Sequence, residues 1–260
     1  MEWYEALILG LIQGLTEFLP VSSSGHIEIG KALFDTDAEN NLYFSVLVHG
    51  ATVLSTIIIF RKDIVKIISG LFKFKYNEET SYTSKIIVSM IPVAIVGLFF
   101  KDFVEGFYSG NNMAFVGSML LITATLLCLT LIKRKKEREI TFVDSFIIGI
   151  AQAFAVLPGI SRSGATISTG ILLGNKKANL AKFSFLMVLV PILGENFLEL
   201  IKGDFDNTSL PLNSLIIAFF AAFISGLAAC KVMINIVKKG KIYWFAIYCV
   251  IMGLIAILFL

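Results

Sequence analysis

Six stretches of this chain are apolar and long enough to cross a bilayer: 42–60, 86–104, 114–132, 183–201, 214–237 and 243–260. A spanning helix needs about 20 such residues, so the pattern predicts six transmembrane helices. Two further pairs of shorter apolar segments, 3–19 with 26–34 and 140–157 with 165–174, are each interrupted by a Ser- and Gly-rich stretch, at 20–26 and 158–166. Neither pair is long enough to cross twice, and each is polar at its tip. Each reads as a re-entrant helix–loop–helix. Irregular backbone survives at membrane depth only where it lines a cavity or is covered by protein, so the two tips mark a site.

The pattern also repeats. At an offset of 139 residues, Gly10, Gln13, Ser22, Ser24, Gly25, Phe44, Ser45 and Leu47 recur as Gly149, Gln152, Ser161, Ser163, Gly164, Phe183, Ser184 and Leu186. The chain divides into repeat 1 (1–138) and repeat 2 (139–260) within one membrane domain. Each repeat holds one re-entrant element and three spans.

Composition agrees with the pattern. The chain has 260 residues, 57% of them hydrophobic and 16% charged, against about 25% charged in soluble domains; its mean hydropathy is +0.84. This predicts an all-α integral membrane protein. A net charge of +3 gives no nucleic-acid surface. Residues 3–21 lack a basic leader and contain Gln13 and Glu17, so they read as structure rather than as a signal peptide. Cys128, Cys230 and Cys249 stand singly in apolar stretches and read as small core hydrophobes.

Charge placement sets the orientation. Segments 61–85, 133–139, 175–182 and 231–241 hold 18 of the 22 basic residues, including the run Lys133–Lys136. The opposite loops, 35–41, 101–113 and 202–213, hold only Lys101 and Lys202. Lys and Arg favour the cytoplasmic side, which puts both termini outside. Three spans per repeat is an odd number, so repeat 2 must be inverted relative to repeat 1. The two tips then approach the membrane middle from opposite sides and meet. Polar broken helices meeting at a repeat interface form a binding site.

The second tip gathers Ser161, Arg162, Ser163, Gly164 and Thr166 at a helix start. Free N–H groups and the positive end of the helix dipole suit a phosphate there, and a guanidinium grips it with paired hydrogen bonds. An arginine at membrane depth is costly unless paired, so Arg162 marks a site. The bland alternative is a water-exposed loop with an ordinary arginine. The first tip adds groups that move protons. Gln13 and Glu17, four apart, share a helix face; Ser22, Ser23 and Ser24 follow, then His26. A carboxylate, an imidazole and a hydroxyl fit acid–base or nucleophilic chemistry. Glu17 could instead be a purely structural ion pair with Arg162, and His26 a helix-start residue facing water. His49, Glu195 and Glu28 are weaker candidates for the neighbourhood of the site. Transport of a lipid phosphate across the bilayer is the competing function, since transporters share this plan; a nucleophile beside a base favours an enzyme.

With these residues in view, the chain resembles the undecaprenyl-diphosphate phosphatase family, also called the bacitracin-resistance protein family, over nearly its whole length. The first family motif falls on Gln13-Gly14-Leu15-Thr16-Glu17, with its downstream Ser and His on Ser23 and His26. The second, PGxSRSxxT, matches Pro158 to Thr166 at every specified position. The family's first motif residue is Glu or Gln; here it is Gln13, which argues against a mechanism needing two carboxylates. The resemblance implies hydrolysis of undecaprenyl diphosphate to undecaprenyl phosphate at the bacterial cytoplasmic membrane, and a divalent cation, Mg²⁺ or Ca²⁺, with Glu17 as its candidate ligand. On this reading Glu17, Ser23, His26 and Arg162 are catalytic. Gln13, Ser22, Ser24, Ser161, Ser163, Gly164 and Thr166 bind phosphate. The nucleophile is Ser23 or an activated water. A polyprenyl diphosphate, membrane lipids and a second copy of the chain are the expected partners.

Overall fold

The computed structural model describes residues 1–34, 42–107, 112–132, 137–202 and 210–259. The expectations placed on loops 35–41 and 203–209 and on the run Lys133–Lys136 lie outside them, as do the side chains of Lys31 and Glu195. The described residues form twelve helices: α1 (Trp3–Phe18), α2 (Ser23–Phe34), α3 (Leu42–Ile59), α4 (Arg61–Leu71), α5 (Glu78–Phe99), α6 (Lys101–Glu105), α7 (Met113–Leu129), α8 (Phe142–Phe154), α9 (Arg162–Leu172), α10 (Lys177–Lys202), α11 (Leu212–Lys238) and α12 (Trp244–Leu258). No strand occurs among them; Arg138 and Asn175 form one isolated parallel bridge.

All six expected spans are helical, but their ends and lengths differ from the pattern. Helix α5 starts eight residues early because Asn77 caps it, its side chain accepting from the Thr80 amide at 2.8 Å. Three helices, α5, α11 and the Lys177–Gly194 part of α10, are long and apolar enough to cross a membrane. Helix α3 meets the same test only together with α4, which bends away from it by 76°. Helices α7 and α12 are apolar but have only 17 and 15 residues. The exposed surface is apolar along these helices, with Ile87, Leu98, Ile224, Trp244 and Ile251 all more than half exposed. A soluble protein does not leave such a belt to water; this is a membrane protein with its greasy side outward.

The interior is unusually polar for so apolar a chain. Gln13, Ser55, Ser89, Thr123, Ser145 and Ser168 are fully buried, and most of these hydroxyls donate to backbone carbonyls. Ser55, for example, bonds the Phe223 carbonyl of α11 at 2.8 Å. Phe44 and Phe183, which are repeat mates, are both buried at 1% exposure. Cys230 and Cys249 are buried as expected, whereas Cys128 is exposed, because α7 turns that face away from its partner α12.

Helices from the two halves of the chain pack on each other. Helix α1 lies along α11, α8 along α5, and α7 along α12. The contacts are close because small residues face backbone. A Cβ added at Gly10 of α1 would sit 2.5 Å from the Ala218 carbonyl oxygen of α11. At its repeat mate, Gly149 of α8, an added Cβ would run into the Ser89 carbonyl of α5. Such approaches carry helix association where there is no hydrophobic drive. We expect Gly149→Leu to destabilise the protein by about 1–3 kcal/mol or more through overpacking. Gly97→Leu should have little effect, since nothing lies within 4 Å of an added Cβ there. Thermal unfolding in detergent separates the two.

The segment before α8 is pinned to the turn before α10. Arg138 donates two hydrogen bonds to the Asp144 carboxylate at 2.6 and 2.7 Å, and Asn175 donates a third at 2.9 Å. Outside this knot Lys176 donates to Glu139 at 2.6 Å and holds that carboxyl below its ordinary range.

Candidate active site

The two polar tips meet, as the charge pattern led us to expect. Gly25 and Gly159 face each other, with an added Cβ on Gly25 falling 3.1 Å from the Gly159 Cα. Ser163 donates to the Leu19 carbonyl at 3.2 Å, and Gly164 sits against Pro20. The helices after the tips begin earlier than the pattern implied, at Ser23 and Arg162. The reason is local capping. Ser161 accepts from the Gly164 amide at 3.1 Å, and Ser22 accepts from the Gly25 amide at 3.2 Å. These are N-cap bonds. They place Ser23, Ser24, His26, Arg162, Ser163 and Thr166 in or next to the first helical turn rather than in loops.

The tips are local copies of each other. Ser22 and Ser24 hydroxyls lie 3.3 Å apart, and so do those of Ser161 and Ser163. They differ in backbone. Ser22 has φ 70°, whereas Ser161 is extended; in the second tip the positive φ of 98° falls on Gly159. A serine in the left-handed region costs about 1–2 kcal/mol, so Ser22 is held there by its surroundings.

At the first tip, Glu17 is the centre. Its side chain is 11% exposed. Ser23 donates its hydroxyl hydrogen to the Glu17 Oε2 at 2.9 Å, and the Gln13 Nε2 donates to the same oxygen at 3.0 Å. The His49 Nε2 stands 4.0 Å from it, and the Arg162 guanidinium is near enough for its charge to act on the carboxylate. Gln13, Glu17, Ser23 and Arg162 are therefore brought together, with His49 added from α3. The Gln13 amide donor serves Glu17, an orienting role, while its Oε1 is buried without a partner among the described residues.

Other expected residues lie at the same junction but face elsewhere. His26 is buried and both ring nitrogens turn away from Glu17: Nδ1 bonds the Ser22 carbonyl at 2.8 Å and Nε2 the Tyr248 hydroxyl at 2.7 Å. Thr166 donates to the Arg162 carbonyl at 2.8 Å and lies 2.6 Å from the Ser184 hydroxyl. The Ser161 amide donates to Thr123, which in turn donates to the Gly159 carbonyl, each at 3.0 Å. Tyr248, Thr123 and Ser184 escaped the sequence reading. Ser184 was traceable as the mate of Ser45, whose carbonyl bonds the His49 Nδ1 at 3.0 Å. Tyr248 has no such mate, since Ser109 stands at its equivalent position.

Beside Glu17 opens a narrow cleft between α1, α3 and α10, lined by Phe18, Val53, Phe185, Val188, Leu189 and Ile192 with Thr52 and Thr56. It sets an apolar slot next to a charged centre.

An all-helical membrane protein with a serine bonded to a carboxylate, where two helix starts from opposite halves of the chain meet, is the class this structure defines. Comparison with known proteins narrows it: the chain belongs to the family described as bacitracin resistance protein BacA, whose model matches residues 6–255. Among its relatives, an undecaprenyl-diphosphatase of Bacteroides fragilis is 58% identical, covering 99% of this chain and 98% of the relative. Proteins of the same name from Parabacteroides distasonis and Christiangramia forsetii are 56% and 53% identical, over 99% and 100% of this chain and 98% of each relative.

Proposed function

We infer that this protein is a membrane phosphatase that hydrolyses undecaprenyl diphosphate to undecaprenyl phosphate and inorganic phosphate, recycling a lipid carrier of cell-wall synthesis and lowering sensitivity to bacitracin. Full-length relatives of that name support the substrate. The observation that carries the chemistry is the 2.9 Å hydrogen bond from Ser23 to Glu17. It joins a nucleophile to a base, the pairing that covalent catalysis needs.

Ser23 attacks the terminal phosphorus as Glu17 takes its hydroxyl proton. A bond forms between the Ser23 oxygen and that phosphorus. The bond from phosphorus to the bridging oxygen breaks, and its electron pair leaves on undecaprenyl phosphate. Water then attacks the phosphoserine, the Ser23 oxygen recovers the proton held by Glu17, and dihydrogen phosphate departs. Arg162 and the N–H groups at the start of α9 balance the charge on the transferring phosphoryl group, which is where most catalysis of such transfers lies. Ser22, Ser24, Ser161, Ser163, Gly164 and Thr166 shape and stiffen the two helix starts that present those N–H groups. The apolar side chains of Phe18 and Phe185 beside Glu17 match the substrate's apolar chain in character. The serine–carboxylate pair also favours catalysis over transport, which needs only binding groups.

The residues do not fit a resident Mg²⁺ or Ca²⁺. Such ions take six or more oxygen ligands, and the described residues hold no group of three His, Cys, Asp or Glu side chains. Glu17 offers one carboxylate, the Ser23 hydroxyl and the Gln13 amide both donate to it, and among the described residues the only other titratable side chain within 4.0 Å of it is His49. A divalent cation would be carried by the substrate's diphosphate oxygens.

The architecture fits two inverted repeats, 1–138 and 139–260. The matched tips support this, and so does the reciprocal packing of α1 on α11 and α8 on α5. Charge placement supports a location in the bacterial cytoplasmic membrane with both termini outside.

Purified protein should release inorganic phosphate from undecaprenyl diphosphate in detergent, and Arg162→Ala should lower kcat by roughly 10²-fold or more. Absence of release from folded wild-type protein, with and without Mg²⁺ or Ca²⁺, would overturn the reading.

A further inference from the structure

The mechanism uses Glu17, Ser23 and Arg162 but gives no chemical task to the buried His26 and its partner Tyr248, which is 41% exposed on α12. Their geometry is specific. The rings are nearly parallel, 8° apart, with centroids 5.4 Å from each other, and the hydroxyl lies 2.7 Å from Nε2. A carbonyl oxygen can only accept, so the bond at 2.8 Å to the Ser22 carbonyl puts the imidazole hydrogen on Nδ1. Neutral His26 then has a lone pair at Nε2, and the Tyr248 hydroxyl is its donor.

The Ser22 carbonyl receives two donors from His26, the ring Nδ1 at 2.8 Å and the backbone amide at 3.2 Å. It belongs to the one serine among the described residues in the left-handed region, immediately before Ser23. Pinning this carbonyl fixes the plane of the peptide linking Ser22 to Ser23, and with it the direction in which Ser23 leaves the backbone towards Glu17. The next residue of α12 grips the same tip from its other end: the Cys249 thiol lies 3.6 Å from the Pro20 carbonyl.

We propose that Tyr248 is a positioning residue of the active site: its hydroxyl locks the His26 ring in the Nδ1–H tautomer, and His26 in turn holds the strained Ser22 peptide so that Ser23 is aimed at the substrate. The proposal rests on the reading of Ser23 and Glu17 as the reacting pair. It assigns His26 a role through Ser22 rather than as the base. It also explains why α12, from the far end of the chain, packs against the first tip. Tyrosine is suited to the task because its hydroxyl is a donor on a stiff ring, and phenylalanine would keep the packing while removing the bond.

The protein contains only two histidines, His26 and His49, so ¹⁵N-histidine labelling gives a spectrum of two imidazoles, which His49→Gln assigns. In the wild type, the His26 Nε2 should resonate as an unprotonated, hydrogen-bonded nitrogen. In Tyr248→Phe this resonance should move downfield while those of His49 stay. Phosphate release by the same variant should show kcat lowered by about tenfold with KM changed less than twofold, the signature of lost alignment rather than lost binding. Unchanged His26 resonances and unchanged kcat in Tyr248→Phe would overturn the proposal. Failure of the underlying reading looks different. Ser23→Ala and Glu17→Gln would then retain wild-type turnover, while the Tyr248-dependent shift of His26 would still be seen.

Discussion

Ser23→Ala should lower phosphate release by roughly 10³-fold or more, because it removes the nucleophile rather than weakening a contact. The hydroxyl donates to Glu17 at 2.9 Å, so its loss also leaves Glu17 with one donor fewer on Oε2, that of Gln13. Fold should be preserved: Ser23 is the first residue of α2, and the cap is supplied by Ser22. The variant therefore separates two chemistries that share one geometry. If Ser23→Ala keeps more than a tenth of the rate, water activated by Glu17 is the attacking group. If Ser23 attacks, rapid quenching with substrate labelled in its terminal phosphate should leave label on wild-type protein and none on Ser23→Ala.

Glu17→Gln should have an effect of similar order, about 10²–10⁴-fold on kcat, the range associated with loss of a positioned base. An amide in the same place can still accept from Ser23 and keeps the shape, but it takes up no proton. It also removes the negative charge that faces Arg162. Substrate affinity should therefore fall less than kcat, and can even rise, since Arg162 is freed for the anionic head. A measured KM that climbs with kcat unchanged would mean that Glu17 only binds and does not move the proton. Circular dichroism and elution volume in detergent check that the helices remain, which matters because Gln13, Ser23 and His49 all face this carboxylate.

Much of this was legible in the sequence, for reasons that can be named. Apolar runs fix helices because a backbone in lipid must satisfy itself, and every expected span proved helical. The 139-residue offset exposed both tips, and the tips did meet. Boundaries were less legible. Helix α5 reaches back into a polar segment because Asn77 and its neighbours cap it, a local hydrogen bond that hydropathy does not register. Helix α4 was read as loop, since its charges hid an amphipathic turn. At the site, Gln13 and Glu17 were paired correctly from their spacing of four on α1, and Ser23 followed from proximity. His26 was harder. Sequence distance set it beside Glu17, whereas its ring turns to Tyr248, 222 positions away. Only packing of α12 against the first tip reveals that, and no periodicity encodes it.

The reciprocal packing of the halves has a consequence for motion. A membrane protein that carries cargo by alternating access rocks one repeat against the other about a shared seam. Here α1 is clasped by α11 and α8 by α5, with backbone at Gly10 and Gly149 drawn almost into contact with the partner helix. Each half thus holds a helix that packs along a helix of the other. Any motion of one half against the other would have to open these backbone contacts at Gly10 and Gly149.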